Sequence, residues 1–416
     1  MSKTSQLHTP HHGTHPTTAM GPLTALARKL VFARLGKLRR GLLRLHEGGE
    51  CHVFGAERTG LDASITVLDP SFYAELAFGG SVGAGESYML GAWRSDDLTA
   101  VMRLLLQNRV VLDTMESGLA RLSEPLRLVA HWLHRNTKVG SRRNIAAHYD
   151  LGNDFFRLFL DETMMYSCAL FERPEMSLAE ASTAKLDAVC RKLALEASDH
   201  VLEIGTGWGG FAMHAAQHYG CRITTTTISP SQYELACERV RAAGLQGRIT
   251  VLQQDYRDLR GSYDKIVSIE MIEAIGHQQF GEFFSQCARL LLPQGQMLLQ
   301  SITIAQAHYE RARDEVDFIK RYIFPGCCIP SVAALTQAMH RSSDLCLAGI
   351  EDIGPHYAST LAYWRMNFTA RLDQVHALGY PESFIRMWEF YLCYCEAGFA
   401  EGDLGDVQML LRRRAS

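Results

Sequence analysis

An α/β fold, Rossmann-like with a mostly parallel sheet and preceded by a smaller N-terminal α+β domain, is predicted by three observations. The apolar run His200–Ile204 leads into the glycine-dense turn Gly205-Thr206-Gly207-Trp208-Gly209-Gly210, and a helix follows from Phe211. Further strand-like runs at 222–228, 249–253, 264–269 and 296–302 alternate with helical segments, the pattern of parallel strands covered on both faces. Upstream, from about Leu45 to Ala130, short strand-like and helical stretches mix without that regular alternation.

Taken from the N-terminus, residues 1–20 are rich in His, Thr, Pro and Gly and read as a disordered tail. Next comes a run without any acidic residue, in which Arg28, Lys29, Arg34, Lys37, Arg39, Arg40 and Arg44 interleave with Leu26, Leu30, Val31, Phe32, Leu35, Leu42, Leu43 and Leu45. It predicts a basic amphipathic helix, suited to an anionic membrane surface or to packing on its own domain. Ile65–Leu68 and Phe72–Phe78 read as strands and Thr99–Leu106 as a helix, while the polar, basic span 136–143 reads as the linker. The C-terminal Arg412-Arg413-Arg414 reads as part of a solvated tail.

Composition is permissive. With 416 residues, 47% of them hydrophobic, the chain can fill two cores. No run nears the roughly 18 apolar residues that cross a bilayer, and no secretory cleavage pattern is present, so a cytoplasmic protein is expected. The eleven cysteines form no C-x-x-C pair; they read as reduced thiols, and no metal site is expected. A formal net charge of −3 says little, and no nucleic-acid partner is expected.

In the second domain Ser229-Pro230 reads as an N-cap with proline at the first helical position. A dinucleotide site usually has an acidic residue closing the second strand, whereas here it closes Thr227-Ile228-Ser229 with Gln232 one turn on, which argues against NAD. Ligands of open α/β sheets lie beyond the carboxyl ends of the strands, so Glu203, Thr227, Asp255, Glu270 to Glu273 and Gln300 are expected on one rim. Tyr357–Leu378 and Ser383–Phe399 have helical apolar spacing and are expected to wall the site.

Several ordered motifs, over roughly residues 140–400, resemble the cyclopropane-fatty-acyl-phospholipid synthases and related mycolic acid methyltransferases. They are His148-Tyr149-Asp150-Leu151-Gly152-Asn153, Met165-Tyr166-Ser167-Cys168-Ala169, the glycine turn with Trp208, Thr227-Ile228-Ser229 with Gln232, Asp255-Tyr256-Arg257-Asp258, Ile269-Glu270-Met271-Ile272-Glu273 and Arg321-Tyr322-Ile323-Phe324-Pro325-Gly326. The resemblance implies a class I methyltransferase domain at 144–400 after a lipid-handling domain at 21–135, with a tail at 401–416. It implies S-adenosylmethionine held by Tyr166, Ser167, Glu203, Gly205, Gly207, Thr227, Ile228, Gln232, Tyr256 and Arg257. The implied acceptor is a cis double bond in a phospholipid acyl chain, which becomes a cyclopropane through a carbocation deprotonated by bound bicarbonate. The implied bicarbonate cradle is Cys168, Glu273, the backbone at Ile302, and Tyr357, with Gln300 also at a cradle position. Glu273 is better read as orienting a bicarbonate proton than as the base, because a carboxylate repels an anion unless a proton is shared. Cys395 matches a family position near the acyl channel, yet methyl transfer from a sulfonium needs no thiolate nucleophile. Peripheral association with the inner face of an anionic membrane is expected, and a homodimer is left open.

Three positions depart from the family pattern. Thr206 stands where a Cys is common, which a turn lined by backbone tolerates. Ala274 replaces a His after Glu273, and Gln300 stands where cyclopropane-forming members carry a His. Glutamine cannot carry a proton as an imidazole does, so the alternatives are a methylene-branched product or a lipid-binding protein without chemistry.

Overall fold

The computed structural model describes residues 20–56, 60–111 and 151–414. The linker expected at 136–143, the motif residues His148-Tyr149-Asp150 and the expected N-terminal tail, apart from Met20, lie outside the described residues.

The first unit is a four-stranded sheet of order β2-β1-β3-β4, formed by β1 (Leu42–Glu47), β2 (Glu50–Phe54), β3 (Asp62–Val67) and β4 (Trp93–Arg94). Gly48 and Gly49, with φ of 56° and 90°, make the two-residue turn between β1 and β2, because a turn that matches the strand twist wants positive φ at both positions. On β3, Ala63, Ile65 and Val67 alternate inward, as a half-buried strand should.

Three expectations are corrected here. The basic amphipathic segment is helical only over Pro22–Leu35, ends before Gly36, and continues as β1. Ala27, Val31 and Leu35 are buried against the domain while Leu23 and Leu26 stay exposed. Phe72–Phe78 belongs to the helix Ser71–Met89, where Phe72, Tyr73, Leu76 and Ala77 are buried. That spacing of one, four and five is a helical stripe, which a short apolar run cannot distinguish from a strand. Residues 404–413 of the expected tail form β11, which lies inside the second sheet.

The second sheet has seven strands in the order β10-β11-β9-β8-β5-β6-β7. They are β5 (His200–Ile204), β6 (Arg222–Thr227), β7 (Ile249–Gln253), β8 (Tyr263–Ile269), β9 (Leu291–Ile304), β10 (Leu345–Asp352) and β11 (Leu404–Arg413). β5 to β9 are mutually parallel, and β11 runs antiparallel to both β9 and β10. Strand order reverses beside β5, so the crevice beyond its carboxyl end is the natural ligand position.

The helices Gly354–Thr369 and Glu382–Ala400 pack over this end of the sheet and join the first unit in one apolar core. Polar contacts reinforce the junction: Tyr88 donates to Glu389 at 2.7 Å, Arg103 pairs with Glu401 at 2.7 Å, and Arg109 pairs with Asp403.

Candidate active site

β5 delivers Glu203 and then the glycine turn to the rim, and the backbone there is tied to β6 by Gly205 and Thr206 N–H groups donating to the Thr226 carbonyl at 3.0 and 3.1 Å. Gly205 and Gly207 have φ of 101° and 51°. A methyl group on Gly205 would sit 3.3 Å from Met271, whereas nothing lies within 4 Å of one on Gly207. The turn therefore presents bare backbone to a cavity of about 1020 Å³, the upper end of the usual size for a ligand site.

All ten residues matched to cofactor binding line this one cavity: Tyr166, Ser167, Glu203, Gly205, Gly207, Thr227, Ile228, Gln232, Tyr256 and Arg257. Their partners fix them. Thr227 donates to Gln232 at 2.8 Å, and Ser229 caps the next helix through the Gln232 N–H at 3.3 Å, with Pro230 behind it. Arg257 grips Asp255 through two bonds of 2.9 and 2.6 Å, so Asp255 both caps its turn and holds the arginine. Trp208 is buried and donates to Asn153 at 2.7 Å, a packing role at the turn.

Beyond the turn the wall becomes aromatic and aliphatic. Phe324, Leu361, Tyr391, Tyr394, Phe399 and Leu404 line it, mostly from the two covering helices. Tyr166 and Tyr391 hydroxyls meet at 2.7 Å, and the Tyr357 ring stacks on Phe399 at 4.4 Å. Trp364 is buried beside the Tyr166 ring at 5.1 Å, and Tyr322 turns to Glu86, so neither lines the cavity. Cys395 does line it, and burial pushes its thiol up, which disfavours a thiolate nucleophile.

The catalytic candidates converge through a residue not among them, Glu270. Its Oε1 accepts the Cys168 N–H at 2.8 Å and the Gln300 amide at 2.8 Å, and its Oε2 accepts the Tyr357 hydroxyl at 2.6 Å. Glu273 Oε1 instead accepts the Ile302 N–H at 2.5 Å, and its Oε2 has no hydrogen-bond partner among the described residues. Burial, with the charge of Glu270 second, pushes Glu273 up to about 8. Glu203 is pushed up to about 8 by burial alone, against the opposing Thr225 hydroxyl bond of 2.6 Å and the charge of Lys185.

Two placements correct the expected cradle. The Cys168 thiol and Gln300 side chain are fully buried and do not line the cavity; only the Cys168 backbone N–H takes part. Gln300 Nε2 bridges Glu270 and Asp406, at 2.8 and 2.9 Å, while its carbonyl accepts from Gln408 at 3.0 Å. A glutamine at this place spans two carboxyl groups without adding charge. Asp406 is raised well above the usual carboxyl range by burial first and by Glu270 second.

The cradle implied for bicarbonate fits poorly. The Cys168 N–H and Tyr357 hydroxyl that would hold it are engaged by Glu270, and the Ile302 N–H by Glu273. A free anion there would stand among three carboxyl groups with its donors already used.

Sequence reasoning missed Asp406 and Lys185 and undervalued Glu270. Asp406 carried no signal, lying in a presumed tail. Lys185 is fully buried and donates to Ser167 at 2.8 Å; burial lowers it, opposed first by the charge of Glu270. Its signal was available, since it falls on the buried stripe of Leu178, Ala181, Ser182, Leu186 and Val189 in the helix Leu178–Lys192.

A seven-stranded sheet with a glycine turn after its first parallel strand and a ligand cavity at the point of order reversal defines a class I S-adenosylmethionine-dependent methyltransferase. The description "Mycolic acid cyclopropane synthetase" belongs to the family model that matches residues 136–409, and the chain is a member of that family. It is 39% identical over 352 residues to a tuberculostearic acid methyltransferase of Mycobacterium tuberculosis, covering 80% of this chain and 79% of the relative. It is 36% identical over 359 residues to the cyclopropane-fatty-acyl-phospholipid synthase of Escherichia coli, covering 84% and 88%. A solved mycolic acid cyclopropane synthase in complex with SAH and CTAB superposes with a TM-score of 0.61 at 33% identity, covering 65% of this chain and 98% of that one.

S-adenosylmethionine fits the residues present: a turn free of side chains, aromatic faces and uncharged oxygens suit a sulfonium that has no proton to donate.

Proposed function

We propose that the chain transfers the methyl group of S-adenosylmethionine to the cis double bond of an unsaturated phospholipid acyl chain and closes it to a cyclopropane. The observation that carries this reading is the continuity of one cavity, from the bare glycine turn, past the Tyr166 and Tyr357 rings, to the Glu270 and Glu273 carboxyl groups under an aromatic wall. Bound donor supplies an electrophilic methyl on sulfur. The chain's own residues do the rest: Gly205, Gly207, Gln232 and Arg257 hold and orient the donor, and the aliphatic and aromatic wall excludes water. The rings stabilise positive charge that develops on the hydrocarbon.

A methylene-branched product remains the second reading, supported by the absence of an imidazole at Gln300 and by relatives named both as methyltransferases and as cyclopropane synthases. Both outcomes lose a proton from the delivered methyl group. They differ in whether a hydride first shifts from the methylated carbon to its cationic neighbour, which moves the charge beside the methyl and leaves a C=CH2 branch instead of a ring.

Access to phospholipid is supported by the helix Pro22–Leu35, where exposed Leu23 and Leu26 lie near the exposed Lys29, and Lys37 follows just past its end. No described helix is long and apolar enough to cross a membrane. Incubation with methyl-labelled S-adenosylmethionine and oleoyl phospholipid vesicles, followed by mass spectrometry of the fatty acids, tests the reading. An added CH2 that survives hydrogenation under conditions that saturate only alkenes marks the ring, one that those conditions convert to a methyl branch marks the methylene product, and no transferred label with intact donor binding refutes both.

A further inference from the structure

We propose that the Glu270 carboxylate is the base of this reaction, built into the chain where a free anion would otherwise have to bind. The inference rests on the proposed methyl transfer and adds the identity of the proton acceptor.

Three fixed donors make Glu270 an acceptor: a backbone N–H, a side-chain amide and a phenol, at 2.8, 2.8 and 2.6 Å. A carboxyl group offers about four acceptor positions when it donates none itself. Two are used on Oε1 and one on Oε2, the Asp406 carboxyl stands within hydrogen-bonding reach of the same group, and Glu270 lines the cavity. The backbone supports the assignment independently. Glu270 has φ of 49°, in the left-handed region that a non-glycine residue rarely occupies, and such strain concentrates where a side chain must be aimed. Its own N–H is secured to the Gln300 carbonyl at 2.9 Å, so backbone and side chain of Gln300 both position it. Neighbouring Glu273 points its bound oxygen at the Ile302 N–H and is less open to the cavity.

The step balances. The alkene π pair forms a bond to the donor methyl as the carbon–sulfur bond breaks and sulfur keeps that pair, leaving a carbocation on the acyl chain. One C–H bond of the new methyl then breaks, its electron pair forms the second ring bond, and the proton passes to Glu270 Oε2. Loss of that proton to water returns the carboxylate for the next turnover.

The test uses the whole protein in buffer stripped of carbon dioxide. Wild type is expected to transfer label at full rate there and to gain nothing from millimolar bicarbonate. Glu270→Gly should fold well, because glycine accepts the positive φ, and should lose roughly 10²- to 10⁴-fold in rate, the usual contribution of a positioned base. Added bicarbonate or formate should restore part of that loss, since removing the side chain leaves the Cys168, Gln300 and Tyr357 donors unoccupied. A second readout needs no turnover: line broadening of ¹³C-bicarbonate should saturate with Glu270→Gly and not with wild type. The proposal is overturned by a wild type whose rate requires bicarbonate, by a Glu270→Gly variant at wild-type rate in stripped buffer, or by saturable bicarbonate binding to wild type. Absence of lipid methylation by wild type would instead remove the parent reading, and the binding arm would still decide whether Glu270 fills the anion position.

Discussion

Replacing Tyr357 with Phe removes one oxygen and little else, because the buried ring keeps its stacking on Phe399 at 4.4 Å. What is lost is the 2.6 Å bond from the hydroxyl to Glu270 Oε2. A hydrogen bond to a charged group contributes about 1.5–3 kcal/mol. Two other donors remain on Glu270 Oε1 and keep the carboxylate in place, so the loss belongs at the low end, about 1.5 kcal/mol. That corresponds to roughly a tenfold fall in turnover. The assay is steady-state transfer of labelled methyl to oleoyl phospholipid, with donor affinity measured separately by calorimetry. Turnover should fall while donor affinity stays within about twofold, since Tyr357 lies at the carboxylate end of the cavity and not at the glycine turn. Turnover within twofold of wild type would refute the reasoning that this bond positions the reacting carboxylate, and equal losses in both quantities would show a disrupted cavity.

Three other outcomes follow from the same geometry. Gly207→Ala adds a methyl group with nothing within 4 Å, at a φ of 51°; it should cost about 1–2 kcal/mol of stability through the left-handed backbone and weaken donor binding by more than tenfold, read by thermal melts beside calorimetry. Glu203 is raised from 4.5 to about 8 by burial, so the folded state holds a proton that the unfolded chain has lost across that window, and stability without donor should fall as pH rises through it. Glu203→Gln should remove from that decline a slope of at most about 1.4 kcal/mol per pH unit, with urea unfolding at pH 5 to 8 as the measurement and unchanged slopes as the refutation. Reversing the exposed charges of Lys29 and Lys37 to Glu should weaken sedimentation with anionic vesicles by roughly tenfold or more, at about 1 kcal/mol for each cation at the surface, with neutral vesicles unaffected; equal binding to both would make the helix Pro22–Leu35 purely structural.

Local order made much of the methyltransferase unit legible. Strands at 200–204 and 249–253 coincide with β5 and β7, because buried parallel strands are short apolar runs bounded by turn residues. The glycine turn and the capped helix after β6 were equally readable, as both depend on backbone chemistry within a few residues. Phe72–Phe78 was misread because seven apolar-rich residues satisfy two periodicities, and only packing of the whole Ser71–Met89 stretch selects between them.

What the amino-acid order determined by itself is therefore the architecture, the glycine turn and the family, since each is written in periodicity and motifs a few residues long. Which groups meet was decided by the tertiary structure. β11 inserts between β9 and β10 and carries Asp406 beside Gln300, 106 residues away in sequence. The helix Leu178–Lys192 buries Lys185 under the same rim, and a left-handed backbone turns Glu270 toward Cys168 and Tyr357. Charges separated by a hundred residues acquire their meaning only when folding removes water from between them, because burial sets both their partners and their protonation.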